Sequence, residues 1–209
     1  MARAFSKIAF TPAVRAMQER KGSAGAYAKF LAPEAETGDR LGEAEAAFIT
    51  ARDGFYQATV SETGWPYVQF RGGPAGFLKV LDERTIAYAD FRGNRQYVSV
   101  GNLAGDDRIA LILVDYPNRR RLKLFGHVKL VEKDEDPSLV ESLHDPAYKA
   151  RPERAFVISL AGFDWNCPQH IPQRFTLDEL EAHLEPVRSE LERLRAENTA
   201  LKRRLDERD

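Results

Sequence analysis

Gln69-Phe-Arg71-Gly72-Gly73-Pro74-Ala-Gly76-Phe77 and, further on, Arg92-Gly-Asn94-Arg95-Gln96-Tyr-Val-Ser99-Val-Gly-Asn102 bracket the apolar run Thr85-Ile-Ala-Tyr88-Ala89-Asp90. Each flanking segment is a glycine-softened turn that carries arginine and abuts a strongly apolar stretch. Two such turns can aim guanidinium groups and free backbone N–H groups at a single anion. The expected ligand carries a phosphate.

Working outward, the chain from Gly54 is a series of short runs rich in Val, Ile, Phe, Tyr and Thr, separated by Gly, Pro, Asp and Asn. They are Phe55–Val60, Tyr67–Phe70, Phe77–Leu81, Thr85–Ala89, Ile109–Asp115 and Leu122–Val131. Short strands at this spacing predict a mainly β domain, an antiparallel barrel or sandwich of six or more strands. Ser61-Glu-Thr-Gly64 and Leu81-Asp-Glu-Arg84 read as hairpin turns. Asn94–Leu103 breaks the rhythm and predicts a helix covering a barrel end, while Phe156–Leu160 would add a last strand.

Both ends of the chain read as helical. Thr11-Pro12, a cap followed by proline at the first helical position, predicts a helix through Arg20 that stops at Gly22, and a second helix is expected over Glu43–Arg52. Near the C-terminus, Thr176 and Glu179 fit a capping box. Leu184, Val187, Leu191, Leu194, Asn198, Leu201 and Leu205 then follow the alternating three and four spacing of heptad positions a and d. Asn198 falls at an a position, and the g-to-e pairs Glu190 with Arg195, Glu197 with Lys202 and Arg204 with Asp209 are all opposite in sign. Such a stripe also suits a single amphipathic helix lying on its own domain, but the asparagine and the matched charges favour a parallel two-stranded coiled coil, with Pro186 an irregularity in its first turns. The expected organisation is a domain over residues 1–176 and a C-terminal helix over 177–209.

Composition narrows the function. With 31 basic against 32 acidic residues the net charge is −1, which argues against general nucleic-acid binding, since that requires an excess of Lys and Arg. The single cysteine, Cys167, excludes an intrachain disulfide and a two-thiol redox centre. No stretch of eighteen apolar residues occurs and no cleavable leader is evident, so the expectation is a cytoplasmic protein with no membrane partner.

Most catalytic templates fail. The histidines, His127, His144, His170 and His183, form no His-Glu-x-x-His pattern, and Cys167-x-x-His170 offers two ligands where zinc needs at least three, so no metal is expected. There is no Gly-x-Ser-x-Gly elbow, no Gly-x-x-x-x-Gly-Lys phosphate loop and no parallel βαβ alternation. What remains is the arginine and glycine constellation: Arg71, Arg95 and the run Arg119-Arg120-Arg121 at successive strand ends, with Gln96 and Ser99 as neutral donors.

These residues carry a resemblance. Phe55–Val131 resembles the flavin-binding split barrel of the pyridoxamine 5′-phosphate oxidase superfamily, in particular the smaller FMN-binding proteins related to that oxidase. The resemblance lies in Gln69-Phe-Arg71-Gly72-Gly73, in Ile86-Ala-Tyr88-Ala89-Asp90, in Arg92-Gly-Asn-Arg95-Gln96 with Ser99 and Asn102, and in Arg121-Leu-Lys-Leu-Phe-Gly126. Phe163-Asp-Trp165-Asn-Cys-Pro-Gln-His170-Ile-Pro-Gln-Arg174-Phe175 looks like the C-terminal signature of the same superfamily.

The resemblance implies a homodimer with FMN at the subunit interface and a small-molecule substrate or electron donor. It assigns Arg71 and Arg95 to the phosphate, assisted by Gln96, and lays Tyr88-Ala89 along the flavin. Arg121, Trp165 and Arg174 would reach the cofactor from the other subunit, and His170 is the candidate proton donor. A cation near the pyrimidine edge of the isoalloxazine would stabilise reduced flavin. The departures concern the reaction. The oxidase closes on a motif resembling Arg-Leu-His-Asp-Arg-Phe, whose arginine and histidine handle pyridoxal, whereas residues 169–175 here read Gln-His-Ile-Pro-Gln-Arg-Phe. The oxidase lysine after the phosphate arginine is Gln96. FMN binding is therefore expected, with pyridoxamine phosphate oxidation weak or absent. The alternative is a non-catalytic carrier or sensor module that holds flavin, deazaflavin or haem.

Overall fold

The computed structural model describes residues 3–31 and 38–207. Its elements in chain order are α1 (Arg3–Ala9), α2 (Pro12–Arg20), α3 (Ala24–Tyr27), a short 3-10 turn, α4 (Glu43–Thr50), β1 (Gly54–Val60), β2 (Pro66–Gly72), β3 (Lys79–Asp82), β4 (Thr85–Phe91), α5 (Val98–Gly105), β5 (Arg108–Asp115), β6 (Arg120–Glu132), α6 (Pro137–Ser142), β7 (Pro152–Asn166) and α7 (Leu177–Asp206). They form two compact units, residues 1–115 with 119–170 and residues 116–118 with 171–209.

The first unit is built on one antiparallel sheet of seven strands in the order β2-β1-β5-β6-β7-β4-β3. This is the mainly β, antiparallel architecture expected from the strand spacing. The two edge strands, β2 and β3, are not hydrogen-bonded to each other, so the barrel is split rather than closed. The sheet nonetheless curls strongly. β1 and β4 lie four strand positions apart, about 19 Å in a flat sheet, yet the rings of Phe55 on β1 and Tyr88 on β4 are 5.3 Å apart. Phe77 stacks on Phe55, and Phe156 stacks on Tyr88. This aromatic cluster and Ile86, Leu111, Leu113, Leu122, Leu124 and Ile158 fill the interior.

Local sequence explains the elements. β1 and β5 alternate buried and exposed positions, as a sheet with one face on the core requires. Thr11 caps α2 through Val14 N–H with Pro12 in the first turn, as expected. The middle of β6 needs glycine at 126, where it lies against β7, because a Cβ there would sit 2.7 Å from Ser159 O and from Ile158 Cγ2. The register of the two strands shifts at that point.

Three sequence expectations change. β7 is fifteen residues long rather than confined to Phe156–Leu160, because the chain continues through Gly162 and buries Asp164 against Lys123 at 3.1 Å. The helix expected over Asn94–Leu103 starts only at Val98, since Arg95 and Tyr97 adopt left-handed backbone conformations that end any helix there. The helix α6, capped by Asp136 with proline in its first turn, is additional. The long C-terminal helix is present and continuous through Pro186. Asp209, the expected partner of Arg204, lies outside the described residues.

Candidate functional site

The two ends of the curled sheet meet along a cleft of about 240 Å³. β2 contributes its inward-facing residues Tyr67, Gln69 and Arg71, β4 contributes Asp90 and Phe91, β7 contributes Glu153, and the turn from Gly93 to Tyr97 leads into the start of α5 at Val98 to Val100. Five of the residues expected at the site, Gln69, Arg71, Arg95, Gln96 and Ser99, therefore share one cleft.

Arg71 dominates it. Its guanidinium lies 5.6 Å from the Phe156 ring centre and 6.0 Å from that of Tyr88, and its Nη1 pairs with Asp90 at 2.8 Å. Its Nε is buried and has no hydrogen-bond partner among the described residues. A buried donor left unpaired costs about 1–3 kcal/mol, so this atom is suited to an acceptor. Asp90 also accepts from Arg154 at 2.8 Å, and Arg154 reaches Glu132 at 2.7 Å. Burial works against the charge of Arg154, but the hydrogen bonds to Glu132 and Asp90 outweigh it and raise its pKa. The Asp90 charge is thus shared by two arginines, one from each side of the split.

The approach to α5 is strained in a way that suits an anion. Arg95 and Tyr97 have φ of 61° and 54°, each costing on the order of 1–2 kcal/mol for an L-residue, and such strain clusters at ligand clamps. Asn94 Oδ1 accepts from Gln96 N–H at 3.1 Å and braces the turn. No side chain caps α5. Its first N–H groups lack intrahelical acceptors and stand at the positive end of the helix dipole, and Val98, Ser99 and Val100 of this first turn line the cleft.

A polar relay runs behind the cleft. The Tyr88 hydroxyl donates to Gln57 Oε1 at 2.5 Å, Gln57 Nε2 donates to Ser99 Oγ at 3.1 Å, and Ser99 Oγ donates to Gln69 Oε1 at 2.9 Å. Burial pushes the Tyr88 phenol well above its ordinary range. The chain of bonds fixes β4, β1, α5 and β2 relative to one another. Gln57 and Asp90 were not among the residues singled out from the sequence. Gln57 has a legible signal, a polar residue at an inward position of an alternating strand. Asp90 sits inside the quoted motif, but its partner Arg71 is nineteen positions away.

The remaining expected residues sit elsewhere. Tyr88 is in the core with only its hydroxyl in the relay, and Ala89 is buried beside it on β4. Gly73 donates its N–H to Asp53 O, and a Cβ on it would meet the Phe77 ring at 2.7 Å. Gly72 lies under the Phe70 ring, so both glycines make room for aromatic side chains. Asn102 donates to Thr59 Oγ1 and ties α5 to β1. Arg121 and Trp165 lie at the far ends of β6 and β7, where Trp165 packs edge-on against Phe48 and donates to Glu45 at 2.7 Å. Arg121 Nε is buried without a partner among the described residues. His170 is exposed, with a left-handed φ of 64°. In the second unit, Arg174 lies over the Tyr116 ring. Among the described residues no cluster of histidine, cysteine and carboxylate side chains could hold a metal, and no helix is long and apolar enough to cross a membrane.

The family model described as pyridoxamine 5′-phosphate oxidase matches residues 41–159, more than half of the 209. The chain belongs to that family. The match takes in the whole cleft and stops before Trp165, His170, Arg174 and α7. A search of curated proteins finds no match. Among solved structures, a candidate pyridoxamine 5′-phosphate oxidase from Lactobacillus delbrueckii is 17% identical over 60% of this chain and 94% of its own, with a TM-score of 0.48. An FMN-binding protein from Syntrophomonas wolfei is 9% identical over 71% and 97%, with a TM-score of 0.46. A Clostridium acetobutylicum protein related to general stress protein 26 is 16% identical over 64% and 92%, with a TM-score of 0.43.

Proposed function

We propose that the chain is an FMN-binding flavoprotein that acts as an oxidoreductase on a small substrate other than pyridoxamine phosphate. The observation that carries the reading is the buried, unpartnered Arg71 Nε in the same cleft as Arg95 and the uncapped start of α5. A phosphate fits this donor set. Arg71 Nε–H, the Arg95 guanidinium and the first N–H groups of α5 would hold its oxygens, and charge-assisted bonds of this kind are about twice as strong as neutral ones. Bound FMN would supply the redox chemistry. The protein's part is to anchor the phosphate, to hold Arg71 in place through Asp90, and to keep the cleft floor rigid through the relay from Tyr88 to Gln69.

The reading includes a second copy of the chain. The outward face of β2, β1 and β5 carries Phe70, Val68, Tyr56 and Ile112, all exposed. Tyr56 lies opposite both Phe70 and Ile112 in the sheet. A contiguous apolar patch of this kind marks an interaction surface. The cleft volume of about 240 Å³ also falls short of the roughly 300–1,000 Å³ typical of ligand sites, so a partner subunit would complete the wall. Oxidation of pyridoxamine phosphate is expected to be weak or absent, because residues 169–175 do not reproduce the arrangement of arginine and histidine that handles pyridoxal in the oxidase.

The test is direct. Purified protein is expected to be yellow, with flavin absorption bands. FMN at a hundredfold excess over its Kd adds about 2.7 kcal/mol, which raises Tm by about 5–11 °C for a chain of this size, whereas riboflavin, which lacks the phosphate, gives little shift. Colourless protein whose Tm does not respond to added FMN overturns the proposal. Reduction of the bound flavin by NADH or NADPH faster than free FMN is the expected sign of turnover, and its absence favours the carrier role.

A further inference from the structure

We infer that α7 pairs, parallel and in register, with α7 of a second copy of this chain. The apolar seam extends one heptad N-terminal to Leu184. The capping box between Thr176 and Glu179 starts the helix at Leu177, which places Leu177 at a and Leu180 at d ahead of Leu184. The seam then reads Leu177, Leu180, Leu184, Val187, Leu191, Leu194, Asn198, Leu201 and Leu205, unbroken from end to end. Every one of its apolar members is exposed in the single chain, between 38% and 79%. A helix of thirty residues, about 45 Å long, draws most of its stability from packing of such a face. Pro186 falls at a c position, off the seam, and the helix runs through it without interruption.

The flanking charges choose the occupant and its direction. Arg188, Arg195 and Lys202 occupy e positions, while Glu190 and Glu197 occupy g positions. A parallel pair sets g against the next e of the partner, which joins Glu190 to Arg195 and Glu197 to Lys202 twice over. An antiparallel pair sets e against e and g against g, which along the middle of the helix brings Arg188, Arg195 and Lys202 together and Glu190 and Glu197 together, with Glu181 at e and Arg204 at g the exceptions. Asn198 makes the same choice. In a parallel pair it meets its own copy and the two amides bond, whereas in an antiparallel pair it faces an apolar d layer and loses that bond. In the single chain Glu190 and Glu197 are both held by Arg193, a c-position residue on the same helix. These are exposed pairs of small energy, so they leave the glutamates free to share cations across the seam. The inference is independent of the flavin reading, since α7 contributes nothing to the cleft lining.

The experiment uses the full chain with Cys167→Ser, so that an introduced cysteine is the only thiol. Leu194→Cys at a d layer is expected to give a covalent dimer as the main species after mild oxidation, while Ser189→Cys, at the outward f position, stays at background. Charge reversal supplies the second arm. Glu190→Lys with Glu197→Lys, or Arg195→Glu with Lys202→Glu, each added to the Leu194→Cys chain, is expected to abolish cross-linking alone and to restore it when the two proteins are mixed. Circular dichroism establishes that each variant keeps its fold. No cross-link at 194, equal cross-linking at 189 and 194, or no rescue on mixing overturns the inference. The first result is also what packing of α7 on its own domain, or capture of an unrelated protein, produces.

Discussion

Replacing Asp90 by asparagine keeps the volume and removes one charge, and the outcome separates two roles of the same carboxylate. Asp90 is buried and accepts from Arg71 and Arg154, each at 2.8 Å. Breaking a buried ion pair by removing one partner costs roughly 3–5 kcal/mol, because the other charge is left uncompensated. Two features point to the lower end. Arg154 keeps Glu132 at 2.7 Å, and the Arg71 side chain, 17% exposed, can turn partly to water. A loss of about 3 kcal/mol corresponds to a fall in Tm of about 6–12 °C for a chain of this length, readable by differential scanning calorimetry without ligand. The same change releases Arg71 for an anion, so added inorganic phosphate should raise the Tm of Asp90→Asn more than that of the unaltered protein. A Tm within about 2 °C of the parent, or an equal response to phosphate in both proteins, refutes the view that Asp90 both ties the split together and restrains Arg71.

Other consequences can be measured independently. Gly162→Ala places a Cβ 2.7 Å from Phe5 N, an overpacking cost of about 1–3 kcal/mol, and should speed proteolysis within α1; unchanged cleavage would show that α1 yields freely. Because the folded pKa of Tyr88 is raised, the neutral phenol favours the native state fully below the unfolded value of about 10, and that contribution is lost as pH climbs beyond it. Stability should therefore fall with pH in that range, and Tyr88→Phe should flatten the slope; an identical slope in both proteins counts against the burial effect. Removing residues 177–209 should leave the flavin and the sheet-face dimer in place, as judged by absorption and light scattering, and loss of both would contradict the proposed interface.

What the sequence disclosed depended on how far apart the interacting groups lie. The strands were legible because their apolar runs are local, and α2 because Thr11-Pro12 is a complete start signal. Asp136-Pro137 carries the same signal, although α6 was not among the expected elements. The end of β7 was not, because Asp164 is polar and its burial depends on Lys123 of the neighbouring strand. At the site, arginines and glycines pointed to an anion, but the pairing of Arg71 with Asp90 joins strands five positions apart in the sheet. Gly72 and Gly73 read as phosphate-turn glycines, whereas their lack of a side chain serves Phe70 and Phe77. Pattern reports what a residue can do, and only the curl of the sheet decides which neighbour it does it with.

That curl has a consequence for how the protein assembles. The cleft has β2 as one wall and β4 as the other, the strands near opposite ends of the sheet. Neither wall, nor any hairpin containing one of them, holds both Arg71 and Asp90. The cleft comes into existence only when β1, β5, β6 and β7 have all paired and brought the two ends round to face each other. Ligand affinity is then a readout of the entire sheet, and a flaw planted at the Gly126 register shift, remote in sequence from every residue of the cleft, will register there as weakened binding.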